Sequence, residues 1–388
     1  MIIKSLLSCD LYKYTMLQVF FREFPDVTAR YKFKCRNTDV NLLEFKDEIM
    51  EEINCLCELR LTQEELDYLE NFPYFSDAFI NYLEDFRLKK HFVHVGERDG
   101  NLDIHFDGPL TNVSMFEIFV LKIVHEVYSR NVNPTNDLII AEGRKRLVQK
   151  IAMFKEFERV NGYKPIIAEF GGRRAYTTDW HYFVTKNLAD NGVIVGTSDV
   201  DLARRLNIKP IGTMAHEFLT MMQVFTHPMN SQRFGFETWL DFYGNDLNIL
   251  LSDTLGDKKF LIDFTPDIAH RASGVRHDSG CPFQFGEMMI AHYEALGINP
   301  KDKLIVFSDG LDFETVFRLE ERFHGRIQTV YGVGTYLSND VGLKPLQNVI
   351  KQVECNGHPV CKLSNNFNKA MCEDLDYMNY LKSCLDKI

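Results

Sequence analysis

The stretch RHDSGCP at residues 276–282 places several kinds of polar group within a few residues of one another. Arg276 supplies a planar set of hydrogen-bond donors, and Asp278 supplies carboxylate acceptors. Ser279 adds a hydroxyl, and Gly280 lets a ligand approach the backbone closely. A sugar with both phosphates and free hydroxyls suits this set, because Arg276 can neutralise phosphate while Asp278 accepts from hydroxyls. The alternative for Asp278 is an Asx turn, in which the carboxylate bonds to its own backbone.

A histidine stands in the stretch GTMAHEFLT at residues 212–220, where an apolar run gives way to a helical pattern. A zinc-protease helix needs a second histidine four residues after the first, and Thr220 occupies that place. His216 is therefore either an ordinary histidine at a helix start or a reactive group, since neutral imidazole is nucleophilic near neutral pH.

Two further stretches carry groups that suit anions. GVGT at residues 332–335 offers backbone N–H groups and the hydroxyl of Thr335, which suits a phosphate, although a tight turn is the alternative. Arg173 and Arg174 offer donors for phosphate or carboxylate, and the alternative for both is a solvated surface ion pair.

These polar residues follow short apolar runs, most of which precede a helical pattern. The seven runs are KPIIAEFG, GVIVGTSD, IKPIGTMA, LNILLSDT, FLIDF, KLIVFSDG and IQTVYGVG. Short apolar strands that alternate with helices indicate a parallel sheet covered on both sides, and seven in series favour a barrel, although a doubly wound sheet would give a similar pattern. In a barrel the loops after the strands open on one face, where active sites lie.

The first part of the chain has a mixed pattern. Residues 28–35 alternate like a strand, 62–86 read as helices broken at Pro73, and 91–106 read as a hairpin around Asp99-Gly100. Long helices are predicted over 115–128 and 137–160. The predicted fold is an irregular parallel β/α barrel of about seven strands over residues 121–344. Residues 1–120 and 345–388 are predicted to form a second domain of the α+β type.

The composition excludes several classes of protein. The chain has 388 residues and a formal net charge of −11 without a basic block, which argues against nucleic-acid binding through a general basic surface. Nine irregularly spaced cysteines indicate reduced thiols and a cytoplasmic location. No apolar run approaches 18 residues, so no membrane span is predicted.

Seven motifs in order resemble those of the nicotinate phosphoribosyltransferase family. They are CDLYKYTM (9–16), EFGGRR (169–174), GTSDVDLA (196–203), GTMAHEF (212–218), RHDSG (276–280), SDGLD (308–312) and GVGTYLSND (332–340). The resemblance implies a ligase of NAD biosynthesis that joins nicotinate to 5-phosphoribosyl 1-pyrophosphate and releases pyrophosphate. It also implies coupled ATP hydrolysis and Mg²⁺ bound with ATP and pyrophosphate.

The resemblance gives the polar residues specific roles. His216 is similar to the family's phosphohistidine, and Asp253 stands where the family has an acid near that histidine. Whether Glu217 or a carboxylate from another loop orients the ring is left open. Arg276 and Asp278, with the adjacent Ser279 and Gly280, would hold the phosphoribosyl group. The cradle of the 5′-phosphate would be formed by Asp309, Gly310, Gly334 and Thr335.

The resemblance also implies how the pyridine ring is bound. Tyr12 and Phe170 would stack on its two faces, with Tyr12 supplied by the neighbouring subunit of a homodimer, and Arg173 would meet the carboxylate or a phosphate. Ser198 stands where nicotinamide enzymes carry an aspartate, and a serine favours nicotinate if the side chain of Asp199 points away. For both aromatics, a plain core role is the alternative, and Asp10 could be an N-cap.

The sequence departs from the family at Cys281, where an acid is usual, and at Gly172, where a threonine is usual. The alternatives to nicotinate transfer are transfer to nicotinamide or quinolinate, or a sensor that binds a phosphosugar without turnover.

Overall fold

The computed structural model describes residues 1–133, 136–365, 370 and 372–387. The chain forms two compact units. The first consists of Met1–Gly212 and Val333–Lys351, and the second of Thr213–Gly332 and Gln352–Ile388. The two domains predicted from the sequence, with boundaries at residues 120 and 345, were defined by a change in secondary-structure pattern, whereas these two units are defined by compactness. The predicted domain boundaries stay a prediction.

Helices make up much of the described chain. They are α1 (Leu11–Glu23), α2 (Lys46–Cys57), α3 (Gln63–Glu70), α4 (Asp77–Glu84), α5 (Leu110–Val113), α6 (Phe116–Val132), α7 (Asn136–Asn161), α8 (Thr178–Asp190), α9 (Val200–Leu206), α10 (His216–Met221), α11 (Ser231–Tyr243), α12 (Asp257–Asp263), α13 (Pro266–Arg271), α14 (Pro282–Ala295), α15 (Phe313–Phe323), α16 (Thr335–Ser338) and α17 (Leu375–Leu385).

Strands lie between these helices. They are β1 (Thr28–Cys35), β2 (Val93–Arg98), β3 (Asn101–Pro109), β4 (Ile167–Glu169), β5 (Ile194–Thr197), β6 (Lys209–Pro210), β7 (Ile249–Leu251), β8 (Gly274–His277), β9 (Leu304–Phe307), β10 (Gln328–Val333), β11 (Asn348–Cys355) and β12 (His358–Pro359).

The first unit contains an antiparallel group in which β3 pairs with both β1 and β2. The predicted hairpin is confirmed: Asp99 and Gly100 have φ values of +52° and +75°, as a two-residue turn with two left-handed residues requires. The predicted strand over 28–35 and both long helices are also confirmed, as β1, α6 and α7. The buried helix α6 supplies much of the apolar core of this unit.

The first unit also contains three parallel strands, β4, β5 and β6, paired in that order. Glu169 pairs in register with Thr197, and Thr197 with Pro210, so the carboxyl ends of the three strands are level. The loops that begin with Phe170, Ser198 and Ile211 therefore leave the same edge of this group.

The second unit contains β7, β8, β9 and β10, which are also parallel and pair in that order. Val275, Ile305 and Phe307 are fully buried, as expected for strands covered on both faces. Seven parallel strands and an antiparallel group confirm the predicted mixed α/β class with parallel β/α units.

One predicted strand is wrong. The run FLIDF lies in and just after α12, whereas Gly274–His277 forms the strand β8 that was not predicted. Phe260 and Phe264, four residues apart, are fully buried, while Ile262 between them is 52% exposed. This is the burial pattern of a helix, which a five-residue apolar run does not reveal. The strand β8 was missed because its last two residues are Arg276 and His277.

Two expectations from composition are met. All nine cysteines carry free thiols. In the part of the chain that the structure describes, no helix is both long enough and apolar enough to cross a lipid bilayer.

Candidate active site

In the second unit, three acidic residues follow the carboxyl ends of adjacent parallel strands. Asp253 follows β7, Asp278 follows β8 and Asp309 follows β9, while His216 is the first residue of α10. Because these strands are parallel and in register, their following loops leave the same edge, which is where α/β proteins bind ligands. The polar stretches that contain Asp253, Asp278 and Asp309 thus leave one edge of this unit.

His216 forms the centre of this group. Its Nε2 lies 2.7 Å from Oδ1 of Asp253 and 3.6 Å from Oδ2 of Asp278. The side chain of Asp253 is fully buried, whereas the side chain of His216 is 21% exposed. Nε2 is thus within hydrogen-bonding distance of an acid from another loop, Asp253, while the choice between Glu217 and such an acid as the residue that orients the ring stays a prediction.

Two residues near the C-terminal end of the sequence complete the group, and neither was predicted. Nζ of Lys362 lies 2.9 Å from Oδ2 of Asp253 and 3.8 Å from Oδ2 of Asp278. The hydroxyl oxygen of Ser364 lies 3.3 Å from Asp253 and 2.9 Å from the hydroxyl of Ser279, and its one proton can be donated to either. Backbone bonds from Leu363 and Ser364 to the carbonyl of Thr254 hold this segment in place. The one sequence signal was the position of Lys362 between two buried apolar residues, Cys361 and Leu363.

The charges of this group perturb one another. Burial, followed by the positive charge of Lys362, holds the pKa of His216 below its usual value, against the opposing charge of Asp253. Burial raises the pKa of Asp253, but the positive charges of His216 and Lys362 outweigh it and hold that pKa well below its usual value. The imidazole is therefore neutral and the carboxylate ionised near neutral pH.

The residues of RHDSG surround the same centre. Oδ1 of Asp278 accepts from the hydroxyl of Ser308 at 3.0 Å, and its side chain is 27% exposed. Burial raises the pKa of Asp278, while the charges of Arg276 and then Lys362 lower it, with a net lowering. Gly280 has a φ of +91°, and a side chain there would also meet Nδ2 of Asn365 at 3.2 Å. Glycine is thus required at position 280 by the backbone itself.

Asp309 and Gly310 follow β9 in the same unit, beside Ser308. Asp309 is half-buried and Gly310 is exposed, with a φ of +62°. A side chain at position 310 would meet nothing within 4 Å, so a ligand has room to approach this backbone. This fits the predicted phosphate cradle, a role that stays a prediction.

In the first unit, the hydroxyl of Ser198 donates to Oδ1 of the buried Asp10 at 2.6 Å. Arg173 lies 3.8 Å from the other oxygen of Asp10 and 3.9 Å from Glu117, and its side chain is 47% exposed. Asp10 occupies the N-cap position of α1, but its carboxylate does not cap the helix. The carboxylate of Asp199 faces Lys122 at 2.5 Å and caps α9, which meets the condition set for Ser198.

The two predicted aromatics also lie in the first unit. Tyr12 is 7% exposed, and its backbone nitrogen lies close to Gly212, where a Cβ would approach it to 3.1 Å. Phe170 is half-buried and donates from its backbone to the carbonyl of Val333 at 2.9 Å. Gly334 packs on this backbone, since a Cβ there would meet the Phe170 carbonyl at 3.3 Å, and Thr335 begins α16. The stacking of Tyr12 and Phe170 on a pyridine stays a prediction.

A second histidine–carboxylate pair, which sequence reasoning missed, is sealed inside the first unit. Nε2 of His181 lies 2.9 Å from Oε2 of Glu169, and their side chains are 3% and 0% exposed. Glu169 also accepts from the hydroxyl of Thr197 at 2.6 Å and from the backbone of Gly171. Burial raises the pKa of Glu169, but the charge of His181 and these hydrogen bonds hold it below its usual value.

Comparisons with known proteins agree with this geometry. Residues 7–125 match the nicotinate phosphoribosyltransferase N-terminal domain, and residues 166–387 match the nicotinate phosphoribosyltransferase family. Relatives named nicotinate phosphoribosyltransferase include one from Chromobacterium violaceum, 43% identical over 98% of this chain and 96% of its own, and one from Cupriavidus necator, 44% identical over 98% of each. The crystal structure of nicotinate phosphoribosyltransferase from Vibrio cholerae superposes with a TM-score of 0.94 at 36% identity, over 99% of this chain and 94% of that one.

Proposed function

This chain belongs to the nicotinate phosphoribosyltransferase family, and from that premise we propose that it couples phosphoribosyl transfer to ATP hydrolysis through a phosphohistidine at His216. Its activity is the formation of nicotinate mononucleotide and pyrophosphate from nicotinate and 5-phosphoribosyl 1-pyrophosphate. The observation that supports the coupling is the contact of a partly exposed imidazole with a buried, ionised carboxylate, His216 with Asp253.

In this proposal, the contact with Asp253 selects the ring nitrogen that reacts. A carboxylate 2.7 Å from Nε2 keeps the proton of the neutral imidazole on that nitrogen, which leaves the lone pair on Nδ1. The lowered pKa of His216 keeps the ring unprotonated at neutral pH. Nδ1 is therefore the nucleophile, and Asp253 acts on the reaction through the ring.

In the proposed step, Nδ1 of His216 forms a bond to the γ-phosphorus of ATP. The bond from that phosphorus to the bridging oxygen breaks, its electron pair stays on that oxygen, and ADP leaves. The ring keeps its Nε2 proton and becomes positively charged, and the carboxylate of Asp253 compensates that charge. Lys362, which contacts the same carboxylate, limits how far Asp253 raises the pKa of the free ring.

The phosphoribosyl group belongs, in this proposal, with the residues after β8 and β9. Arg276 and Asp278 would bind its phosphate and hydroxyl oxygens, with Ser279 and Gly280 beside them. Asp309 and Gly310 would bind the 5′-phosphate. As the bond from C1 to pyrophosphate breaks, its electrons leave with pyrophosphate and the pyridine nitrogen supplies the new bond. Positioning and charge stabilisation are the protein's contribution.

Nicotinate itself is assigned to residues of the first unit. Tyr12 and Phe170 would stack on the ring, and the half-exposed guanidinium of Arg173 would meet the carboxylate. Because the hydroxyl of Ser198 donates to Asp10, Ser198 acts on specificity by occupying the place of an acid and by fixing Asp10. An aspartate at position 198 would add a second carboxylate beside Asp10, so serine there leaves one negative charge fewer to repel an anionic substrate.

Mg²⁺ fits the acidic residues after β7 and β8. It prefers carboxylate and phosphate oxygens, and Asp278 offers a carboxylate that is 27% exposed, whereas the buried carboxylate of Asp253 already faces His216, Lys362 and Ser364. Mg²⁺ bound with ATP or pyrophosphate would supply charge neutralisation there, with Asp278 as its protein ligand.

We also propose that the enzyme is an ATP-dependent ligase, that it forms a homodimer and that it is located in the cytoplasm.

Labelling with γ-³²P-ATP tests the phosphohistidine. We expect acid-labile label on the parent protein and on His358→Gln, whose histidine is exposed and lies in the same unit. His216→Gln should carry no label and should keep ATP-independent transfer to nicotinate. Label that persists in folded His216→Gln would overturn the assignment, and loss of both activities would show that His216 has a further role in transfer.

A further inference from the structure

Three metal-binding side chains meet on the hairpin of β2 and β3, away from every residue given a role above. They are His94, Asp103 and His105, and one ligand atom from each lies within 4.8 Å of the others. His94 and His105 are register partners, and their imidazole rings are 4.5 Å apart at 28°. Asp103 is two residues from His105, so all three project from the same face of the hairpin.

A glycine makes room for this convergence. The imidazole of His94 lies over Gly96, since a Cβ at position 96 would approach Nε2 of His94 to 2.7 Å. The register partner of Gly96 is Asp103, so Nε2 of His94 is turned toward the aspartate. Nδ1 of His105 lies 3.2 Å from Oδ2 of Asp103.

We propose that His94, Asp103 and His105 form a binding site for a divalent transition-metal ion such as Zn²⁺. Two ligands that each lie about 2.1 Å from a tetrahedral ion stand roughly 3.4 Å apart, close to the observed 3.2 Å between Nδ1 and Oδ2. Two imidazoles and one carboxylate are the donors that Zn²⁺, Ni²⁺ and Cu²⁺ prefer, whereas Mg²⁺ and Ca²⁺ prefer oxygen donors alone. The fourth position is left to water.

A neighbouring lysine bears on which kind of ion could bind. Lys32 is the register partner of His105 on β1, and its ammonium opposes a purely electrostatic attraction for any cation. The affinity for a metal ion therefore has to come from the preference of transition-metal ions for bonds to imidazole nitrogen.

Calorimetric titration of the tag-free protein with Zn²⁺ tests this site. We expect one site that His94→Ala and Asp103→Asn each weaken by at least about tenfold. His91→Ala, which removes an exposed histidine nearby, should bind like the parent. Co²⁺ should give the visible absorption of a tetrahedral ion in the parent and lose it in His94→Ala.

The Gly96→Ala variant separates a built site from loose surface chelation. It keeps all three ligands but places a methyl group where the His94 ring lies, so binding should weaken by about tenfold. The His216, Asp253 and Asp278 group is the other candidate for Zn²⁺ in the described chain, and His216→Gln controls for it. Binding that disappears in His216→Gln and persists in His94→Ala would overturn the proposal, as would Gly96→Ala binding like the parent.

Discussion

The His181–Glu169 pair of the first unit and the His216–Asp253 pair of the second are almost equally short, at 2.9 and 2.7 Å, but they differ in access to solvent. Both members of the first pair are sealed, and its carboxylate is held by a threonine hydroxyl and a backbone amide. In the second pair only the carboxylate is sealed, and the imidazole is 21% exposed. The same two functional groups are thus closed to solvent in the first pair and partly open to it in the second, where we propose that chemistry takes place.

The pair in the second unit is also more heavily charged. Lys362 faces the carboxylate of Asp253, and a second carboxylate, that of Asp278, lies within 4 Å of both His216 and Lys362. Each of these charges shifts the pKa of its neighbours. A perturbed histidine with an exposed edge is the better candidate for reaction, because perturbation alone also occurs in structural pairs.

The largest effect is expected from Asp253→Asn. The amide no longer fixes the proton on Nε2 or compensates the charged phosphorylated ring, so phosphorylation should slow by about 10²–10⁴-fold. Rapid-quench labelling measures the rate, and ³¹P NMR of the denatured phosphoprotein shows which nitrogen carries phosphate. Asp241→Asn, on an exposed acid of the same unit, is the control. Unchanged labelling, confined to Nδ1, would show that Asp253 does not orient the ring.

A comparable effect, on stability instead of rate, is expected from Glu169→Gln. A glutamine replaces one acceptor oxygen by an amide nitrogen, so at least one of the buried donors on Glu169 is left without a partner, at a cost of about 1–3 kcal/mol. Urea unfolding followed by circular dichroism measures the loss. Glu156→Gln removes an exposed carboxylate paired with Arg159 and should leave the unfolding midpoint nearly unchanged. Equal unfolding midpoints for the two variants would show that the sealed Glu169–His181 pair contributes no more to stability than an exposed ion pair does.

A smaller effect is expected from Lys362→Gln. The charge of Lys362 lowers the pKa of His216, so its removal raises that pKa and protonates more of the ring at a given pH. Phosphorylation requires the neutral ring, so the acidic limb of its pH profile should move to higher pH, by about tenfold in rate for each unit of pKa. Lys301→Gln, on an exposed lysine, should leave the profile in place. A shift toward lower pH would contradict the assignment.

The sequence was sufficient for the parts of the fold with a clear period. The strand β1, the helices α6 and α7 and the Asp99-Gly100 turn follow from alternation, helical spacing and turn chemistry. The helix α12 and the strand β8 were exchanged, because both are short and a few residues do not define a period. Strand number was right, but one strand was assigned to the wrong residues.

For the site, motifs identified His216, Asp278 and Arg276, since chemistry that depends on adjacent residues is visible in a sequence. The pairing of His216 with Asp253 was expected only through resemblance to a family. Lys362 and Ser364 were missed, because their contact with Asp253 depends on how a distant segment folds back beside Thr254. The sealed Glu169–His181 pair was missed for the same reason.

The Asp253 carboxylate gathers donors from three places in the chain, residues 216, 362 and 364. During synthesis on a ribosome, the strands and loops that carry His216, Asp253 and Asp278 emerge well before the segment with Lys362. The lysine that faces both carboxylates is thus translated after the groups that it contacts. In the proposed mechanism, phosphorylation of His216 in its final electrostatic setting would begin only after residue 364 has been translated.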